Sequence, residues 1–368
     1  MNLHDRAEPL GAARWDWGRV RRVLVVRLRS IGDTVLATPA LDSLRRFLPH
    51  AQIDIVLEDW VAPVLAGFDA VDNVIKVERG SARARMQVAR RLRAIRYDVA
   101  YNLHGGTTAT LLVRASGARH RVGYAYYQYA WLYNHRAPLS SELWGREKTH
   151  SVEQQLALLG WTGVPVTDRP PTRLVVTNEA DASVQARLNA VGLDASAPFA
   201  LIHPAAAFDS KQWATENFAR VIADLHARGL PAVAIAAPQE REIVESLRRI
   251  TSAPLQIFAD LSLPEVTALA ARARLFVGND SGIAHIAAAV ETPSVVVFGS
   301  SNVAHWRPWT NAPAVVVREE MACAPCAGYT CKEFGVAQCI RRVPVERVTA
   351  AIASVLHERA QGAIKALG

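Results

Sequence analysis

The stretch RLRSIGDTVLATPAL, residues 27–41, places a carboxylate, Asp33, directly after Gly32, between an apolar run and the start of a helix. A carboxylate there is either a helix cap or a proton acceptor held at the end of a strand. A second stretch, FVGNDSGIAHIAAAVETPSVVVFGSS (276–301), ends an apolar strand at Gly278, turns through Asn279-Asp280-Ser281-Gly282 and enters a helix of small residues. Free backbone N–H groups and the positive dipole end make such a helix start an anion site, and Gly282 lets a phosphate come close to the backbone. The alternative is that Asp280 or Ser281 only caps the helix. A third stretch, HPAAAFDSKQWATENF (203–218), is again a strand end, a small-residue loop and a helix; it sets Lys211 where a cation could meet a phosphate held by the 280 turn. In APQERE (237–242), Glu240 follows another strand, either to accept from a ribose hydroxyl or to favour a helix dipole. Two such loops in one half of the chain suggest a nucleoside diphosphate. No G-x-G-x-x-G follows either first strand and no G-x-x-x-x-G-K-[ST] occurs, so dinucleotide and P-loop readings lose their main support.

These groups need strands to carry them. Short β-branched runs alternate with amphipathic helical patterns from end to end, the signature of an α/β protein with parallel sheets covered on both faces. Strands are expected at 23–27, 53–57, 73–77 and 98–103, and again at 199–204, 231–238, 255–260, 275–280 and 294–299. Two such arrays imply two Rossmann-like domains, 1–170 and 171–368. The join is placed in the Pro- and Gly-containing segment 161–173, WTGVPVTDRPPTR. The last helix, 345–360, either covers the second sheet or packs back on the first domain.

Composition bounds the partners. The chain has 368 residues, 50% hydrophobic, with 42 Lys and Arg against 34 Asp and Glu, a net charge of +8. That excess favours an anionic partner without naming it. Met1 to Arg22 is polar with no signal-peptide core, and no apolar run approaches the ~20 residues that span a bilayer. A cytoplasmic protein is expected, with or without peripheral contact to a membrane surface. The basic and aromatic interleaving of a single-strand nucleic-acid groove is absent, so no nucleic acid is expected as partner.

Taken together, RSIGDTVLATPAL and VGNDSGIAHIAAAVETPSVVVFG, with K-x-W (Lys211 to Trp213) between them, resemble glycosyltransferase family 9, the ADP-heptose:lipopolysaccharide heptosyltransferases. The resemblance runs from about Val23 to the C-terminal helix. It implies a GT-B fold, with two Rossmann-like domains facing a central cleft, and inverting, metal-independent transfer of heptose from ADP-heptose to a lipopolysaccharide inner-core (lipid A core) acceptor. Carried over by motif, Asp33 is the general base and Lys211 the cation on the donor phosphates. Asp280 and the Ser281-Gly282 amides hold the donor, His285 lies just behind them, and Glu240 takes the adenosine ribose. Where some relatives have hydroxyls, this chain has Ala205, Ala206 and Ala207, which leaves those contacts to backbone N–H groups, Ser210 and Lys211. A member using another nucleotide sugar, or a protein or different glycan as acceptor, would share these motifs. A sugar-nucleotide epimerase of the same architecture is the rival from another class.

Two further segments carry expectations. RGSARARMQVARRLRAIR (79–96) holds seven arginines and no acid. It is either a solvated helix face or a surface for acceptor phosphates or an anionic leaflet. YNLHGGTTATLL (101–112) offers His104, Thr107 and Thr108 as acceptor contacts. Cys323, Cys326, Cys331 and Cys339 form the chain's one cysteine cluster. Its spacing allows a structural zinc or iron site, reduced thiols or a reversible disulfide, and gives a metal no part in catalysis.

Overall fold

The computed structural model describes residues 7–326 and 330–366, with side chains as far as 358. The first six residues of the polar N-terminal stretch, 327–329 of the cysteine segment, and the side chains of 359 and 360 in the last helix lie outside the described residues. The chain divides into two compact units, 1–172 and 173–368.

In the first unit, β1 (Arg22–Leu28), β2 (Gln52–Glu58), β3 (Asn73–Val77), β4 (Val99–Asn102), β5 (His120–Tyr124) and β6 (His135–Ala137) form one parallel sheet in the order β3-β2-β1-β4-β5-β6. Six of the seven residues of β1 are buried, as expected of a central strand covered on both faces. One face packs on the helices Ala82–Ile95 and Thr107–Ala115 through Val88, Leu92, Ala109, Leu112 and Val113. The sheet order reverses between β1 and β4, and it is at such a switch point, beyond the carboxyl ends of the strands, that open α/β sheets bind ligands. β1 leaves this point through a bulge. Its register to β2 skips Arg27, and Leu28 takes the left-handed conformation at φ 49°.

The second unit repeats the plan. β7 (Ala200–His203), β8 (Ala232–Ile235), β9 (Leu255–Phe258), β10 (Leu275–Asn279), β11 (Ser294–Phe298) and β12 (Ala314–Arg318) run parallel in the order β12-β11-β10-β7-β8-β9, with the switch between β7 and β10. The helix Val345–Ala366 lies on this sheet, with Val345, Val348, Ile352 and Val355 buried in the second unit's core. Among the described residues no helix is long and apolar enough to cross a membrane.

β5, β6 and β12 were not foreseen. β5 and β6 read HRVGY and HRA, too polar and short to signal a strand, and both are only partly buried. β12 is a half-exposed edge strand directly after Pro313. The segment 161–173 is not a loose connection. Its first half is held by an N-terminal arm in which Leu10 N–H donates to Gly160 O, Val166 N–H to Glu8 O and Trp17 Nε1 to Thr162 O, while the Arg14 guanidinium lies 4.2 Å from the Trp161 ring centroid.

Because Ile352 is fully buried against the second sheet, Ile352→Ala removes a core side chain that cannot be replaced locally. It is expected to destabilise the second unit by about 2–5 kcal/mol. Urea unfolding followed by a probe specific to that unit would show this as a lowered midpoint, and an unchanged midpoint would contradict the packing described.

Candidate active site

The switch point of the first sheet is built around a buried charge. Arg27 is 7% exposed; its Nη1 donates to the Leu103 carbonyl at the end of β4 and its Nη2 pairs with Asp33 Oδ1. The bulge at Arg27–Leu28 turns the arginine inward at the place where the helix Ile31–Val35 begins. Asp33 is not the N-cap. Ser30 holds that position, and Asp33, in the first turn, completes a capping box in which its Oδ2 accepts from Ser30 N–H (3.2 Å) and Ser30 Oγ (2.9 Å). The helix therefore starts at Ile31, ahead of Asp33. Both carboxylate oxygens are thus oriented, while the side chain remains 22% exposed. Gly32 is buried beneath it.

A cavity of about 320 Å³ opens at this end of the first unit, lined in part by His104, Thr107, Thr108, Arg29, Arg79 and Arg85. The three expected acceptor contacts thus share one cavity with two arginines of the basic run. The sequence had Arg79 and Arg85 only as members of a charged face. Arg83, Arg90, Arg91, Arg93 and Arg96 are exposed. Among the described residues neither Arg79 nor Arg85 forms an ion pair, whereas Arg29 has Glu58 at 3.9 Å. His104 is kept neutral: burial, reinforced by the Arg27 guanidinium against the opposing pull of Asp33, lowers its pKa to about 4. Its loop is pinned by Asn102 Oδ1, which accepts from His104 N–H and Gly105 N–H. Gly105, at φ +90°, lies against the Tyr127 ring where a Cβ would come within 2.9 Å. Thr107 Oγ1 donates to Gln128, so only Thr108 offers a hydroxyl not engaged in that way.

In the second unit Lys211, Asp280, Ser281 and Gly282 come together at the ends of β7 and β10. Lys211 Nζ lies 2.8 Å from Asp280 Oδ2, and Ser301 Oγ donates to the same oxygen. Asp280 is 6% exposed while the Lys211 side chain is 25% exposed, so the carboxylate acts as an internal anchor and the ammonium faces outward. Asn279 ties the loop to the sheet, its Nδ2 donating to Pro204 O and its Oδ1 accepting from Trp213 N–H. Trp213 is fully buried, with Nε1 donating to Val343 O. Ser210 departs from expectation as a phosphate contact. It is buried, its hydroxyl accepts from Ser300 Oγ at 3.0 Å and its carbonyl from Ser300 N–H at 3.2 Å. Gly299 makes this approach possible, since a Cβ there would lie 2.1 Å from the Ser210 carbonyl oxygen.

Ser281 occupies the N-cap of the helix Gly282–Ala289 but its side chain makes no cap bond; Oγ lies 3.2 Å from His203 Nδ1. His285 is buried one turn into the helix. Glu240 closes the short turn Pro238–Glu240, its Oε2 accepting from Ala237 N–H at 3.0 Å and lying 3.9 Å from His203 Nε2. His203, Asn279, Ser300 and Ser301 escaped the sequence reading because their contacts join segments far apart in the chain. The one available signal for His203 was a polar residue ending an apolar strand.

Cys323 and Cys326 are exposed, Cys331 is half-buried and Cys339 is buried, all as free thiols. Among the described residues no group of three or more His, Cys, Asp or Glu side chains is arranged to hold a metal ion. Burial raises the pKa of the Cys339 thiol, and Cys326, Cys323 and Cys331 lie near enough to add to that rise.

A family model described as glycosyltransferase family 9 (heptosyltransferase) matches residues 85–337. Lipopolysaccharide heptosyltransferase 3 from Escherichia coli is 30% identical over 302 residues, 77% of this chain and 85% of its own length. Lipopolysaccharide heptosyltransferase 2 from E. coli strain K12 is 25% identical over 310 residues, covering 80% and 87% of the two chains. Two solved structures, each 23% identical, share the fold. A glycosyl transferase family 9 protein from Veillonella parvula has a TM-score of 0.84 over 95% of this chain and 100% of its own. The E. coli ADP-heptose lps heptosyltransferase II has a TM-score of 0.76 over 92% and 99%.

Gly299→Ala forces a Cβ into the Ser210 carbonyl and so displaces the loop that carries Lys211. A loss of about 1–3 kcal/mol is expected in urea unfolding. A wild-type midpoint would show that the loop yields without cost.

Proposed function

This chain belongs to glycosyltransferase family 9, and we propose that, as a glycosyltransferase of that family, it moves a heptose from ADP-heptose onto a sugar of the lipopolysaccharide inner core with inversion at the anomeric carbon. The choice of donor and acceptor draws on the relatives. The observation that carries the assignment of residues is the second-unit arrangement, in which an outward-facing Lys211 is anchored on buried Asp280 beside a helix start with no side-chain cap. That combination suits a diphosphate: fixed N–H groups and one cation meet the charge that grows as the leaving group departs.

In this reading the acceptor hydroxyl attacks the anomeric carbon from the face opposite ADP. Asp33 takes the hydroxyl proton, the new carbon–oxygen bond forms, and the bond to the β-phosphate oxygen breaks with its electron pair passing to ADP. Lys211 and the amides at Gly282 receive that charge. Asp280 serves by holding Lys211, Ser210 by shaping the loop, and His285 by packing behind the turn. Glu240 accepts from the adenosine ribose. No metal is assigned a part.

The cavity at His104, Thr107 and Thr108 is assigned to the acceptor. Arg79 and Arg85 suit phosphate or carboxylate groups of an inner-core sugar, and the exposed Arg90 and Arg91 suit an anionic surface at the cytoplasmic face of the inner membrane.

Calorimetry with ADP-heptose, UDP-glucose and GDP-mannose tests the donor. Selective binding of ADP-heptose, weakened about tenfold or more in Lys211→Ala, is expected; preference for another nucleotide sugar would overturn the heptose assignment. Asp33→Asn is expected to lower kcat by about 10²–10⁴ with donor affinity unchanged. Steady-state rates near wild type would remove Asp33 as the base. Arg79→Gln with Arg85→Gln is expected to raise the acceptor KM several-fold and leave donor binding as it was, which fluorescence titration and initial rates would separate.

A further inference from the structure

Ser at a helix N-cap ordinarily turns its hydroxyl oxygen onto the N–H groups of the first turn. In the helix Gly282–Ala289 it does not: Ser281 has the extended N-cap backbone, φ −146° and ψ 168°, yet its Oγ faces His203 Nδ1 at 3.2 Å. The first amides of this helix are thereby left without their usual internal partner. Those amides are the groups assigned above to the donor diphosphate.

We propose that His203 is a positioning residue that holds the Ser281 hydroxyl away from the helix start and so keeps these amides free for the diphosphate. The inference rests on the reading of this turn as the donor site. His203 ends β7 at the switch point and is 5% exposed, so its ring cannot reorient freely. Burial lowers its pKa to about 4, which leaves one ring proton at neutral pH. Nε2 faces Glu240 Oε2 at 3.9 Å, too far for a hydrogen bond but near enough for the carboxylate to favour the tautomer with the proton on Nε2. Nδ1 is then an acceptor and Ser281 Oγ the donor. The hydroxyl proton is spent on the imidazole, and its oxygen is held off the Gly282–Ala284 turn. Without that hold, Ser281 would do what N-cap serines do and compete with the phosphate for the same N–H groups.

The consequence is a reversal that a merely structural histidine would not produce. Binding of ADP, by calorimetry, is the readout. In His203→Phe the serine is released and ADP is expected to bind about fivefold to tenfold more weakly, the equivalent of one N-cap bond. Ser281→Ala alone sets the reference for the double variant: once the hydroxyl is gone, the added change His203→Phe is expected to cost no more than about twofold in ADP affinity. The double variant His203→Phe with Ser281→Ala removes the competitor and is expected to recover most of the lost affinity. His203→Asn, which keeps an acceptor near the Nδ1 position, is expected to stay near wild type. His203→Leu takes the place of the Phe variant should thermal melting show that the larger ring is not accommodated. His203→Phe binding ADP like wild type, or a double variant as weak as His203→Phe, overturns the inference. Wild-type protein that binds no ADP would instead overturn the donor-site reading, so the two failures are distinguishable.

Discussion

Asp280 is a carboxylate almost wholly removed from water, and much of the second unit follows from the need to compensate it. A buried charge of this kind persists only when paired and hydrogen-bonded. Lys211 Nζ and Ser301 Oγ supply that compensation to one oxygen, and they arrive from the segments following β7 and β11. Three strand ends are therefore drawn together at the place where the sheet order reverses. The small residues around them, Gly299 above all, are what allow backbone to meet backbone closely enough for the lysine to reach.

The first unit solves the same problem with the signs exchanged. There the buried member is a cation, Arg27, fixed to the end of β4 through the Leu103 carbonyl, and the partner that looks outward is Asp33. In each unit a buried charge is paired with a more exposed charge of opposite sign, the one proposed above to act. Anchoring of this sort orients the outer group without relying on a flexible side chain to find its own position.

Most of the architecture was legible in the sequence, because central strands of a parallel sheet read as apolar runs of β-branched residues. The strands His120–Tyr124 and His135–Ala137 were not, being short and polar at and beside the sheet edge, whereas Ala314–Arg318, AVVVR, does carry such a run although it lies at a half-exposed edge. Asp33, Lys211 and the 280 turn were visible because strand–turn–helix junctions are local. The split of roles between anchor and outer group was invisible. Arg27 lies in the very stretch that raised the question of Asp33, but nothing in its neighbours says that a bulge turns it inward. In the 161–173 segment, where the join was placed, the sequence did not show that the first half has partners some 145 residues away at Trp17 and Arg14.

That N-terminal arm carries a consequence for how the chain is made. The hydrogen bonds from Glu8, Leu10 and Arg14 run to 160–167, so during synthesis they wait for about 145 further residues. At ribosomal rates that is roughly ten to thirty seconds. Trp17 and Trp15 can dock sooner, the first edge-on to Phe47 and the second against His120 and His135. The arm is thus fixed in stages, its rings first and its backbone last, and it closes on a first unit whose strands have already been made.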